Sequence, residues 1–359
     1  YLNIQVIMRN LLFLLFLLGL ASGLSANPVM SSAPWQSDKT ITRFAFGSCA
    51  RPENDQEIYR QILKTQPDTF LFIGDNVYAP RQLSENLIEL RNEYRNLAAS
   101  EPFQHLREAV PLLVTWDDHD MGPNDGGGDW PLKHLSQDIY NEVWDVQDER
   151  LERDGVYYSR MSGPEGQRVQ FILLDTRFFR TPLKRNPRGS AHRYSQIFDA
   201  DANMLGEAQW QWLEQELRKP ADLRFIASSI QIIADGHGWE AWRTMPNQRQ
   251  RFYDLIKDTK ANGVILLSGD RHSAAIYRQT EGVPYPLWEI TSSSLNIPLT
   301  SFVPNIVTEP GPFRQGQPYY EANYGQIEID WNSGEIFLQI HDPQGRTDRK
   351  STRLNSSHQ

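Results

Sequence analysis

Five motifs, four of them bearing aspartate, each follow directly on a short apolar run of strand-like composition. Residues 41–46 lead into Gly47-Ser48-Cys49, and 69–73 into Gly74-Asp75-Asn76-Val77-Tyr78. Residues 111–115 lead into Trp116-Asp117-Asp118-His119-Asp120, 168–174 into Asp175-Thr176-Arg177, and 264–268 into Gly269-Asp270-Arg271-His272. In an open α/β sheet, ligands collect in the crevice outside the carboxyl ends of the strands. Such a fold would carry Cys, Asp, Tyr, His and Arg from distant segments to one place. That is the composition of a metal-assisted hydrolytic site.

The intervening sequence supports a layered α/β fold. Amphipathic helical stretches at 54–65, 84–99, 205–217 and 247–259 alternate with the strand-like runs. This alternation argues against an all-β sandwich. Towards the end, 287–293, 324–331 and 335–341 read as antiparallel strands, with Asn332-Ser333-Gly334 as a hairpin turn. Three connecting segments stand apart. Residues 121–130 are Gly/Asp-rich, 177–193 carry six Arg/Lys and no acid, and 296–318 form a Pro-rich irregular flap.

Charge and cysteine usage narrow the function classes. A net charge of −9 argues against a general nucleic-acid binder, which carries a basic surface. A single cysteine excludes an internal disulfide framework. Cys49 is therefore a buried small hydrophobe or a ligand, and its place in the first motif favours the ligand. Met8-Arg9-Asn10, an apolar run over 11–20 and small residues over 21–26 have the pattern of a secretory signal. The expected organisation is upstream translation over 1–7, a signal peptide over 8–26, a short lead-in over 27–40, one domain over 41–350 and a non-native tail over 351–359. A lone Arg9 before the apolar run points to Sec-type export, hence a periplasmic or secreted protein. Membrane contact is expected only if the signal is retained, and no protein partner is implied.

Phosphoester hydrolysis needs neutralised phosphate charge, an activated water and an acid for the leaving oxygen; paired cations supply the first two. Asp75 is the best bridging carboxylate, with Gly74 allowing a tight turn before it. Tyr78 offers a phenolate ligand. Asp118 is expected as a ligand, His119 as the group that contacts phosphate or protonates the leaving group, and Asp117 as the residue orienting His119. Asn124 adds an oxygen ligand. Asp270 and His272 alternate on an extended segment and can share one metal site. Arg177 and Arg180 suit phosphate as guanidinium forks, with Asp175 holding Arg177 in place. Taken singly, each has an ordinary reading: a helix-capping Asp75, a core Tyr78, a solvated acidic turn, a solvated basic loop.

Together, Gly-Ser-Cys49, Gly-Asp75-Asn-Val-Tyr78, Trp-Asp-Asp118-His119-Asp, Leu-Asp175-Thr-Arg177 and Gly-Asp270-Arg-His272 resemble the alkaline phosphatase D (PhoD-like) family of calcineurin-like metallophosphatases. Met204-Leu205-Gly206-Glu207-Ala208-Gln209-Trp210 and Trp288-Glu289-Ile290-Thr291-Ser292-Ser293 extend the likeness across 41–342. The resemblance implies a single-domain, four-layer α/β/β/α sandwich. It also implies hydrolysis of phosphodiesters or phosphomonoesters through a metal-activated water. The implied cofactor is a binuclear or multinuclear centre of iron with calcium, although the residues accommodate zinc or manganese as well. Carried onto this chain, Cys49, Asp75 and Tyr78 hold iron, Asp270 is shared or nearby, and Asp118, Asn124 and His272 complete the set. Ser228-Ser229-Ile230-Gln231 stands where such folds bring a histidine, with Gln231 the expected substitute. The rival reading is a catalytically silent cation- or polyanion-binding surface protein on the same scaffold. A carbohydrate hydrolase would need a pair of isolated carboxylates, whereas these acids are interleaved with His and Cys.

Overall fold

The computed structural model describes residues 27–303, 311–350 and 354–355. Residues 1–26, where an upstream segment and a signal peptide are expected, lie outside the described residues, as do residues 304–310 of the expected flap. Two sheets form the centre of the molecule. In the first, β1 (Arg43–Gly47), β2 (Phe70–Ile73) and β3 (Leu112–Thr115) run parallel. On the other side of β1, β10 (Tyr324–Asp330) and β11 (Glu335–His341) continue the sheet antiparallel, and β12 (Thr347–Lys350) closes it. The second sheet has the order β4 (Tyr158–Ser162), β5 (Val169–Leu173), β6 (Leu223–Ser228), β7 (Val264–Ser268), β9 (Leu287–Ser292), β8 (Ala274–Gln279). Its four central strands are parallel and its two edges antiparallel.

Strand periodicity decides the layering. Alternate residues of a strand face opposite sides of the sheet. Phe44, Phe46, Leu71 and Ile73 therefore face inward, where they join Phe171, Phe225, Leu267 and Ile290 of the second sheet in one apolar core. Ala45, Phe70 and Phe72 face outward onto α1 (Glu57–Lys64), α2 (Ile88–Ala98), α3 (Glu101–Ala109) and α4 (Lys133–Val143). The apolar stripes of these helices, such as Leu90, Tyr94 and Leu97 on α2, recur at helical spacing. Ile172, Ile226 and Leu266 likewise face α5 (Glu207–Leu217) and α6 (Pro246–Asp258) through Trp210, Leu213, Phe252 and Ile256. The result is the expected helix–sheet–sheet–helix sandwich.

The expected strands and helices are present with shifted ends, and three details differ. The segment 287–293, expected among the antiparallel strands, pairs parallel to β7. Its antiparallel partner is β8, which folds back on its outer side. Helices α3 and α4 and strands β4 and β8 carry weaker patterns and were not singled out in the sequence. Leu354–Asn355, inside the expected non-native tail, pairs with β11. An exposed strand edge accepts any extended segment that reaches it.

Because β1–β3 and β5–β7 each run in parallel, their motifs emerge at one end of the sandwich. Two links hold the sheets in register there. The Thr115 hydroxyl donates to Leu174 O at 3.0 Å, and the Ser229 hydroxyl to Asp117 at 2.6 Å.

Phe44 is fully buried between the sheets, edge-on to Phe171 and Phe225 with ring centroids 5.0 and 4.6 Å away. Phe44→Ala is expected to cost about 3–5 kcal/mol in urea unfolding. A loss of less than about 1 kcal/mol would mean the inter-sheet core is not packed as described.

Candidate active site

The chain leaves the strands through left-handed turns. Cys49, Asp75, Asp270 and His272 have φ of 59°, 49°, 68° and 52°. With Asp125, they make five of the nine positive-φ non-glycine residues described, so backbone strain is concentrated here. Asp270 and His272 therefore do not alternate along an extended segment as expected, and they fall in different groups of candidate metal donors. Gly74 has φ of 108°, and a side chain on it would meet Asp117 Cβ at 2.7 Å. The turn after β2 can approach the turn after β3 only with glycine at this position.

Cys49, Asp75, Tyr78 and His272 form the inner part of the site. Cys49 Sγ lies 3.5 Å from Asp75 Oδ2 and 3.2 Å from the Ser293 hydroxyl. The Tyr78 hydroxyl donates to Asp75 Oδ2 at 2.6 Å and lies 3.5 Å from His272 Nε2. His272 Nδ1 is 2.7 Å from Ile297 O, which can only accept. That contact places the proton on Nδ1 and leaves the Nε2 lone pair facing the site, the arrangement of a ligating histidine. Burial lowers His272 to about 4, so the ring is neutral near pH 7.

The outer part is acidic. Asp118 accepts from the backbone N–H groups of His119, at 2.9 Å, and of Asp125. Donor atoms of Asp75, Asp118 and His119 lie within 4.8 Å of one another, as do those of Asp117, Asp118 and Asp270 and those of Cys49, Asp75 and His272. The His119 ring packs on Tyr78 with centroids 4.3 Å apart. By contrast, Asp120 accepts three backbone N–H groups, from Asn76, Val77 and Asp117, and shapes the turns. Asp175 does the same for Val156, Arg177 and Phe178, the structural role expected of it.

Burial sets the electrostatics. It pushes Asp75 well above the carboxylate range, reinforced by Cys49, Asp118 and Asp117. Asp270 is raised well above it by burial and by Asp117 and Glu240. Burial lifts the Cys49 thiol to about 11. Asp118 is the exception: burial opposes its charge, but His119, Arg177 and the Asp125 N–H outweigh it and hold the group below its usual value. Asp117 Oδ2 and Glu240 Oε2 are buried without a hydrogen-bond partner among the described residues. A region that gathers oxygen, sulfur and imidazole donors, and leaves acid oxygens unpaired, fits cations.

Arg177 and Arg180 are not where substrate recognition requires them. Both are fully buried. Arg177 pairs with Asp117 and, at 2.7 Å, with Glu240; Arg180 pairs with the same Glu240 and donates to the carbonyls of Asp125 and Gly126. They neutralise Asp117 and Glu240 from the buried side instead of facing phosphate. Asp117 consequently faces Arg177 and Ser229, not His119. Gln231 turns away too, donating to Tyr277 and Thr291, and Ser229 is the side chain from that turn that reaches the acidic group.

A cavity of about 470 Å³ opens over these residues. Asp75, Asp118, His119, Asn124, Asp270 and His272 line it. Arg193 joins them from the basic run 177–193, and so do groups not assigned from the sequence, among them Glu240, Arg271 and Trp239. The two arginines supply the basic lining that Arg177 and Arg180 do not. Glu240 is raised to about 7 by burial, against the opposing charges of Arg177 and Arg180. The acid, histidine and glycines of Asp235-Gly236-His237-Gly238-Trp239-Glu240 were the signal that could have drawn attention to this loop.

Residues 44–335 match the family description PhoD-like phosphatase. The chain belongs to the PhoD-like phosphatase family. Alkaline phosphatase D of Bacillus subtilis (strain 168) is 26% identical over 274 residues, a match that covers 64% of this chain and 46% of that protein. The chain thus spans about half the length of this PhoD-like relative. A solved structure of PhoD shares the fold, with a TM-score of 0.67 at 18% identity, covering 89% of this chain and 74% of the other.

Arg177→Met leaves Asp117 and Glu240 short of a buried counter-charge, and is expected to cost about 3–5 kcal/mol in urea unfolding. Unchanged stability with a raised KM would return Arg177 to the substrate.

Proposed function

We propose that this protein is a metal-dependent phosphoester hydrolase, active on phosphodiesters, phosphomonoesters or both. One observation carries the reading: Asp75, Asp118, His119, Asp270 and His272 line the floor of a single cavity, with Cys49 and Tyr78 directly behind Asp75. Family membership supports it. Cations bound there would neutralise phosphate charge and acidify a water for attack on phosphorus.

Cys49, Asp75, Tyr78 and His272 would hold the softer ion, for which iron is proposed. Asp118, Asn124 and Asp270, sharing Asp75, would hold a harder one, for which calcium is proposed. Zinc or manganese would also satisfy these donors. His119, half-buried at the cavity wall and oriented by Tyr78, contacts the phosphate and gives its proton to the departing ester oxygen. Arg193 and Arg271 draw the anionic substrate to the cavity. Export to the periplasm or medium is proposed from the 8–26 segment. No helix among the described residues is long and apolar enough to cross a membrane.

Hydrolysis of a chromogenic phosphodiester and its monoester, before and after chelation with metal add-back, tests this. Turnover is expected to vanish on chelation and return with metal. His119→Ala is expected to lower kcat by about 10²–10⁴-fold while the metal stays bound. A folded, metal-loaded chain that cleaves neither ester would exclude the hydrolase.

A further inference from the structure

The cavity wall carries side chains that hydrolysis itself does not use. Val29, Leu151, Phe198, Trp239 and Phe302 are the large apolar residues exposed among those described, and two of them line this one cavity. Trp239 is 46% and Phe302 52% exposed. Scattered exposed apolar residues are ordinary, but a pair sharing the wall of a charged pocket marks a binding surface. Leu299 and Val303 extend the apolar wall beside Phe302. Phe302 stands edge-on to His272, with ring centroids 5.0 Å apart, so the apolar wall directly adjoins the acidic floor.

The backbone that carries Trp239 is held in place before any ligand arrives. Its backbone N–H donates to Nδ1 of the buried His237 at 3.2 Å, and its carbonyl accepts from Arg243 at 3.2 Å. The preceding Gly238 O accepts the N–H groups of Arg193 and Tyr194 at 2.8 and 3.2 Å. A side chain at Gly238 would meet His192 Cα at 2.6 Å, so this close seam between loops requires glycine. The Arg193 and Arg271 guanidiniums stand over the indole, 5.1 and 6.0 Å from its centroid, which keeps positive charge against the ring.

We propose that the substrate is a phosphoester whose organic group carries a flat aromatic ring, and that this ring lies on Trp239 and Phe302 while the phosphate meets the charged floor. The proposal rests on the phosphoesterase reading above. Phe302, Leu299 and Val303 offer no hydrogen bond, so a polyhydroxy group placed against them would lose its water partners without replacement. An aromatic ring has no such cost. It gains stacking or edge-to-face contact beyond its area burial. The pairing of an anion with an adjacent ring also matches the composition of the wall, where Arg193 and Arg271 both stand at Trp239.

Phenylphosphonate and methylphosphonate, neither of which is a hydrolysable ester, test this by calorimetric binding to the metal-loaded chain. Phenylphosphonate is expected to bind about tenfold more tightly, the effect of one well-placed aromatic contact. Trp239→Ala and Phe302→Ala are each expected to bring that ratio towards one; both positions are exposed, so both variants should fold. Equal binding of the two phosphonates, or an unchanged ratio in both variants, would overturn the aromatic subsite. Aromatic preference in a metal-loaded chain that cleaves no phosphate ester would support the subsite and sink the hydrolase. Absence of binding by either phosphonate would sink the subsite.

Discussion

Negative charge buried at the carboxyl ends of two sheets is the constraint on which the rest of this structure depends. Asp75, Asp117, Asp118 and Glu240 are buried together, with Asp270 beside them and the Cys49 thiol behind. Carboxylates taken out of water must be paired, hydrogen-bonded, protonated or bound to cations. The molecule uses two of these devices in its own chain. Arg177 and Arg180 neutralise Asp117 and Glu240 from behind, and backbone N–H groups satisfy Asp120 and Asp175. Asp75 and Asp270 are left raised well above the carboxylate range, and both face the cavity. Cations are the remaining means of keeping them charged near neutrality.

The fold serves this arrangement by making one end of the sandwich dense in turns. Strands β1–β3 and β5–β7 terminate there, and five non-glycine residues adopt left-handed conformations to point their side chains inward. Such strain, roughly 1–3 kcal/mol per residue, persists only where the surroundings over-determine it. Here those surroundings are the paired core of Phe44, Phe171 and Phe225 and the hydroxyl links of Thr115 and Ser229.

How much of this was legible in the sequence depended on where a residue sits relative to a strand. Cys49, Asp75, Asp118, Asp270 and His272 each follow a buried strand by a few residues, where the turn geometry is restricted, and the motif order carried them to one region. Arg177 follows a strand as well, but motif order does not fix the direction of a long side chain. Its guanidinium runs back to Asp117 and Glu240 instead of out to the cavity. Glu240, Trp239 and Phe302 lie in long connections without a regular period, so nothing in spacing could place them, and for Arg193 only the basic run that it ends was visible. The parallel setting of β9 was equally hidden, because a strand's pattern reports its burial and not its partner.

Elemental analysis of the folded chain, purified without chelator, beside Asp75→Asn prepared identically, shows whether cations hold these buried carboxylates. Metal in stoichiometric amount is expected in the parent chain and its loss in the variant, with circular dichroism unchanged. A folded parent chain free of metal, or a variant that keeps the full content, would contradict it.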